Sequence, residues 1–308
     1  MSKDAKKILH LKINPSIREY TYQSVESIIY VDIDGYPTVW CAVGHRIKIF
    51  DAITWNDEIT DMKLENKITC LMHEPINSKI WISVLGNFFY VMDVQTRSFN
   101  QKIQIHSDII ICIINFEKIK KVLTASANGE IFVWDANKLE KIDSFNTFQA
   151  TGKQLKLIDI KTSAKYLLSI YLKQIDIFDE FFQFKETLKF NCGENNELIS
   201  CACLSHDPDS NEEFLWVGNT ANGIVSVWSL KNFELKMRIG VYDCKGYRSF
   251  LSVDDLAHND SIRSLCCVEN KFIISGSGSG DGSIAIWRPE RIKRKTIAGS
   301  INKIWNEF

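Results

Sequence analysis

The sequence predicts an all-β fold: a β-propeller of four-stranded antiparallel blades, six of them recognisable, with a seventh left open. Three observations carry the prediction. A two-strand phrase recurs six times along the chain, and recurrence at a near-constant interval marks a repeat architecture. The phrases are runs of β-branched and aromatic residues too short for helices. Further apolar runs stand upstream and downstream of the phrase, as at Ile68–Met72 and Phe99–Ile105, so each unit holds four short strands.

The phrase is a short strand, a turn, then an alternating strand ending in an aromatic residue or Met, usually with Asp behind it. The first unit runs Thr38–Gly44 then Arg46–Asp51, and the second Lys79–Val84 then Phe88–Asp93. The third runs Val122–Ser126 then Glu130–Asp135, and the fourth Tyr166–Ile170 then Gln174–Asp179. The fifth runs Phe214–Gly218 then Ile224–Ser229, and the sixth Phe272–Gly276 then Ser283–Arg288. The endings Phe50, Met92, Trp134, Phe178, Trp228 and Trp287 are spaced 42, 42, 44, 50 and 59 residues. The first three gaps match the roughly 40–45 residues of a four-stranded blade. The last two place insertions near Asp207–Glu213 and in Val241–Asp260. One such sheet cannot bury both faces alone; stacking sheets face to face around an axis does so and protects their edges.

Composition narrows the function. The chain has 308 residues, 45% hydrophobic and 24% charged, as in an ordinary globular protein. Lys+Arg is 37 and Asp+Glu 38, a balance that argues against a dedicated nucleic-acid binder. No apolar stretch approaches the roughly 20 residues of a membrane-spanning helix, and the N-terminus lacks the apolar run of a secretory signal. Nine scattered cysteines, without C-x-x-C or zinc-finger spacing, read as reduced buried thiols of a cytosolic protein.

The phrase endings resemble the WD40 family. Trp134-Asp135 is that family's dipeptide intact; Phe50-Asp51, Met92-Asp93 and Phe178-Asp179 keep the Asp, and Trp228-Ser229 and Trp287-Arg288 keep the Trp. A closer resemblance lies in Ala257–Cys266 followed by Ile273–Gly278 and Ile284–Trp287, with Val39–Gly44 and Val227–Lys231 elsewhere. These are similar to the C-terminal propellers of the DENN-domain proteins, a family of Rab exchange factors, over roughly residues 36–287. Related propellers occur in Rho exchange factors, leucine-rich-repeat kinases and inositol phosphatases. The resemblance implies that His258, Ser275, Asp281 and Trp287 form a buried hydrogen-bond tetrad, with His106, Thr124, Asn128 and Trp134 in the matching places of the third unit. That role is structural, so no catalytic residue, cofactor or metal is expected.

The domain reading that follows gives residues 25–288 to the propeller and residues 1–24 to a strand closing the ring. Residues 289–308 are either a basic tail or part of a split blade. The glycine-rich stretch Gly276–Gly282 lacks the Lys of a phosphate-binding Walker loop and reads as a strand connection. The acidic stretch Asp207–Glu213 lacks the spacing of a calcium loop. The insertion carrying Tyr242, Lys245, Tyr247, Arg248 and Phe250 is the candidate partner-binding loop, because Tyr and Arg dominate interface hot spots. Arg291, Lys293, Arg294 and Lys295 are a candidate weak membrane contact, or simply a solvated tail.

The expected function is a non-catalytic interaction scaffold that presents loops to other proteins. By resemblance it serves Rab-linked membrane traffic with GTPase machinery as partner, in the cytoplasm and peripheral to endomembranes. The alternatives are a phosphoinositide- or membrane-binding propeller, and the regulatory propeller of a kinase, Rho exchange factor or inositol phosphatase.

Overall fold

The computed structural model describes residues 25–153, 155–190, 198–207, 210–220, 223–239, 258, 260–278 and 283–287. The fold is all-β, of the β-propeller class, with six successive antiparallel sheets. Sheet 1 is β1 (Val25–Ile33), β2 (Tyr36–Val43), β3 (Arg46–Asp51) and β4 (Asp57–Lys63). Sheet 2 is β5 (Ile68–Glu74), β6 (Lys79–Val84), β7 (Phe88–Asp93) and β8 (Phe99–Gln104). Sheet 3 is β9 (Ile110–Phe116), β10 (Lys121–Ser126), β11 (Glu130–Asp135) and β12 (Glu140–Asn146). A single-turn helix, α1 (Thr147–Thr151), follows, capped by the Asn146 side chain and by Gly152 in the left-handed region. Sheet 4 is β13 (Leu157–Thr162), β14 (Tyr166–Tyr171), β15 (Gln174–Asp179) and β16 (Phe184–Lys189). Sheet 5 is β17 (Ile199–Asp207), β18 (Glu212–Asn219), β19 (Val225–Ser229) and β20 (Leu235–Ile239). Sheet 6 shows three strands among the described residues: β21 (Ile262–Val268), β22 (Phe272–Ser277) and β23 (Ile284–Trp287).

The chain divides into two compact units, the first holding residues up to Asn115 and Lys120–Phe145, the second the remainder. In sheets 1 to 5 the second and third strands are largely buried on both faces, whereas Ile284 and Ile286 of β23 are exposed. Lys79–Val84 is buried at every residue after Lys79, and Phe88–Asp93 at every residue before Asp93. This is why they read as continuous apolar runs rather than alternations. Fourth strands are mostly exposed, as Phe99–Gln104 shows with Ile103 alone buried.

Within each unit, neighbouring sheets meet through the start of the following first strand. Ile68 and Leu71 pack with Ile47 and Ile49 of the preceding sheet, and Ile110 and Ile113 with Phe89 and Val91. In the second unit Ile199 and Ala202 pack with Ile175 and Ile177, and Ile262 and Leu265 with Val225 and Val227. Burying one such side chain contributes about 1.5–3 kcal/mol. Backbone bonds accompany the packing: Ile68 N donates to Gly44 O at 2.7 Å, Ile110 N to Gly86 O at 3.0 Å, and Ile199 N to Leu172 O at 2.7 Å.

First strands also carry a bulge at their second or third residue, between Ile68 and Cys70, Ile199 and Cys201, and Ile262 and Ser264. Side chains at the bulge reach the neighbouring first strand. Thr69 Oγ1 donates to Ile110 O at 3.4 Å and Ser200 Oγ to Ile262 O at 2.5 Å.

The Asp that follows the phrase has a local cause. It sits at the turn into the fourth strand and accepts hydrogen bonds from the turn's own amides. Asp51 Oδ1 accepts from Ile53 N at 2.8 Å and Thr54 N at 2.7 Å. Asp93 accepts from Thr96 N at 2.9 Å, and Asp135 from Asn137 N at 3.0 Å and Lys138 N at 3.1 Å. Asp179 accepts from Phe181 N and Gln183 N, both at 2.9 Å. In sheet 5 the hydroxyl of Ser229 takes this place, accepting from Lys231 N at 3.2 Å. These amides hold the carboxyls of Asp51, Asp93 and Asp135 below the usual range. Each turn then closes with a residue in the left-handed region: Trp55, Arg97, Leu139, Phe182 and Phe233.

Candidate functional site

Two buried histidine networks tie strands together inside single sheets. In sheet 3, Trp134 Nε1 donates to Thr124 Oγ1 at 2.9 Å, and His106 Nε2 lies 2.7 Å from the same hydroxyl. With the indole N–H as donor, the Thr124 hydroxyl proton is free to go to His106 Nε2, which leaves the imidazole proton on Nδ1, 3.6 Å from Glu130 Oε2. His106 stacks on Phe132 at 4.1 Å between centroids. Burial lowers its pKa to about 4, against the opposing pull of Glu130, so the ring is neutral at physiological pH. Asn128 accepts from Ser126 Oγ at 2.6 Å and from Glu130 N at 3.1 Å, and donates to Ser107 Oγ at 2.7 Å. It thereby fixes the turn that carries Glu130.

Sheet 6 repeats the arrangement. Trp287 Nε1 donates to Ser275 Oγ at 3.0 Å, and His258 Nε2 lies 2.8 Å from that hydroxyl. His258 Nδ1 lies 2.6 Å from Ser283 Oγ. Asp281 lies outside the described residues. Neither Glu130 nor Ser283 is among the residues singled out from sequence. Both stand two residues beyond the expected acid position, Asn128 and Asp281, and that offset is the signal that could have found them.

The remaining conspicuous side chains are quiet chemically. Burial raises the thiols of Cys41 and Cys201 to about 11 and that of Cys203 further still. These are inert thiols rather than nucleophiles. Among the described residues no group of three His, Cys, Asp or Glu could hold a metal ion, and no helix is long and apolar enough to cross a membrane.

The surface is more distinctive than the interior. Turns joining first to second strands and third to fourth strands emerge at the same end of each sheet, by the geometry of a meander. Several carry a large apolar side chain at the tip. Tyr36 is 72% exposed, Ile53 74%, Ile76 73% and Phe181 72%. Three of these follow a capping acid by two residues. Asp51 holds the Ile53 turn and Asp179 the Phe181 turn, while buried Glu74 accepts from Ile76 N and Asn77 N, both at 2.9 Å. In the first unit Gln95 Nε2 donates to Asp34 Oδ2 at 3.3 Å, linking a turn of sheet 2 to the Tyr36 turn of sheet 1. Beside Ile76 a cleft of about 180 Å³ is lined by Glu74, Asn77, Lys120, Lys121 and Asn137 among others.

The sequence-predicted partner loop (Tyr242, Lys245, Tyr247, Arg248, Phe250) and the basic cluster (Arg291, Lys293, Arg294, Lys295) lie outside the described residues. So do residues 1–24 and 289–308 of the domain reading.

No protein-family model matches the chain. It is similar to the mouse DENN domain-containing protein 3, with 22% identity over 334 aligned positions that cover 94% of this chain and 25% of that protein. The chain thus spans about a quarter of the length of the curated relative it matches.

Proposed function

We propose that the chain is a WD40-type propeller that acts as a non-catalytic protein-interaction scaffold in Rab GTPase-linked membrane traffic. The observation that carries the scaffold reading is the set of exposed apolar tips on acid-capped turns. A large side chain that is about three-quarters exposed gains nothing for folding. Held on a turn whose conformation is already fixed, it loses little entropy on binding, which suits a hot spot. The histidine networks support the non-catalytic part. Their hydroxyls are engaged with the histidine Nε2 atoms and with a neighbouring Trp, as structural ties. The trafficking part rests on the similarity to the mouse DENN-domain protein.

Proximity labelling in cells, comparing the wild-type chain with the Ile53→Arg/Ile76→Arg variant, tests the reading. The expected result is a neighbour set containing Rab machinery that the variant loses, as a hot-spot loss of about 2 kcal/mol or more predicts. An unchanged neighbour set in the variant removes the turn tips from the interface. Acceleration of nucleotide release from a Rab by the purified chain overturns the non-catalytic reading.

A further inference from the structure

The cleft beside Ile76 is bounded by three segments of the first unit. They are the β5–β6 turn with Glu74 and Asn77, the entry to β10 with Lys120 and Lys121, and the β11–β12 turn with Asp135 and Asn137. Its volume of about 180 Å³ limits what it can hold. Pockets for cofactors and metabolites run to about 300 Å³ or more. The room here is that of about six waters, enough for one side chain of a segment lying across it.

The lining carries two carboxylates and two ammonium groups, so formal charge alone does not choose a ligand. Hydrogen-bonding capacity does. Glu74 is buried and spends both oxygens on its own turn. Its Oε1 accepts from Ile76 N at 2.9 Å, and its Oε2 from Asn77 N at 2.9 Å and Asn77 Nδ2 at 2.8 Å. Asp135 Oδ1 accepts from Asn137 N and Lys138 N, and Oδ2 from Lys121 Nζ at 3.2 Å. The fold thus consumes both acids but not the bases. An ammonium group has three donors, and Lys121 gives one of them to Asp135. Lys120 is exposed and makes no ion pair among the described residues, and Lys138 on the adjoining turn is exposed as well. The cleft therefore offers N–H donors and positive charge outward, with the exposed Ile76 side chain at its lip. We propose that it takes a carboxylate side chain, Asp or Glu, from an extended segment of a partner protein, with an apolar neighbour of that acid packed on Ile76. This rests on the scaffold reading above and gives the partner its chemistry. Charge of this kind sets specificity and on-rate more than affinity, and Ile76 supplies the apolar contact.

Selection from random peptides displayed on phage, with the full-length chain as bait, tests the proposal. The enriched peptides are expected to carry Asp or Glu next to an aliphatic or aromatic residue. Synthesised singly, they should bind Lys120→Glu about fivefold to tenfold more weakly than wild type, since one partly screened pair is lost and a like-charge pair gained. Exchanging the peptide's acid for its amide should weaken binding to wild type and cost nothing further against Lys120→Glu, which marks the two groups as partners. The amide peptide needs no variant of the chain, so it decides alone if Lys120→Glu does not fold. Enriched peptides without an acid, no enrichment over an unrelated bait, or indifference to the amide exchange overturn the proposal. Sedimentation with phosphatidylserine vesicles that Lys120→Glu abolishes overturns it in favour of a membrane headgroup. Failure here is distinct from failure of the scaffold reading: neighbours lost in Ile53→Arg/Ile76→Arg, while selection returns no acid, sustain the scaffold and remove the acidic segment.

Discussion

Replacing Thr124 with Val should cost more stability than replacing it with Ser, although Val is the closer match in shape and the more hydrophobic. Thr124 is fully buried, and its Oγ1 is the shared partner of Trp134 Nε1 at 2.9 Å and His106 Nε2 at 2.7 Å. Thr124→Val keeps the branched side chain that pairs with Phe132 but leaves two buried polar atoms without a partner. Each costs about 1–3 kcal/mol, so a loss of about 2–4 kcal/mol is expected after partial relaxation. Thr124→Ser keeps the hydroxyl and loses one methyl, about 1 kcal/mol. Sheet 6 already uses Ser at the equivalent place, Ser275. Urea unfolding followed by far-UV circular dichroism measures both variants, and a similar slope in each confirms that the same transition is compared. A Thr124→Val chain as stable as Thr124→Ser would refute the network as a source of stability.

Three further outcomes follow from the same geometry. Burial lowers the folded-state pKa of His106 to about 4 from an ordinary 6.5. Its contribution is therefore complete above pH 6.5 and lost as pH falls toward 4, about 3 kcal/mol in all; His106→Gln should flatten stability over that window, and an unchanged profile counts against a buried neutral ring. Gly218→Ala would set a Cβ 2.6 Å from Ile262 Cγ2 and 2.9 Å from Cys201 Sγ, so the joint between sheets 5 and 6 must shift, at about 1–3 kcal/mol; a thermal midpoint equal to wild type would contradict the packing. Asp51→Ala should lower the thermal midpoint more than Asp51→Asn, which keeps an acceptor for Ile53 N and Thr54 N; equal effects would mean that charge rather than capping matters.

Much of the fold was legible because the period of the sequence is the period of the sheets. The endings at Phe50, Met92, Trp134 and Phe178 each sit next to the last residue of β3, β7, β11 and β15. Strand starts were blurred by one or two residues, as where β2 begins at Tyr36 rather than Thr38 and β18 at Glu212 rather than Phe214. Those extensions lie at exposed or half-buried positions, where burial in the core does not mark the boundary. The helix α1 was missed. Its Asn146 and Gly152 caps are ordinary signals, but five residues are too few for a 3.6-residue period to show. The recurring Asp was noticed as a family mark, while its use as a turn cap needed coordinates, because the amides it binds belong to residues of no fixed type. The histidine networks were legible as far as the Trp and hydroxyl members; what faces the histidine Nδ1 atoms differs, the Glu130 carboxylate at 3.6 Å in one sheet and the Ser283 hydroxyl at 2.6 Å in the other. The exposed turn tips left no trace in periodicity, since Ile53 and Ile76 occupy positions that the core does not constrain.

The backbone bonds that hand one sheet to the next, such as Ile68 N to Gly44 O and Ile199 N to Leu172 O, also relieve the covalent connectors of any positioning task. The segment between blades becomes a tether whose length matters only logarithmically. Phrase spacing can therefore grow from 42 to 59 residues along one chain at little thermodynamic penalty. The stretches between sheets are the places where new sequence can be inserted, or the chain nicked, while the adjoining blades hold their seats.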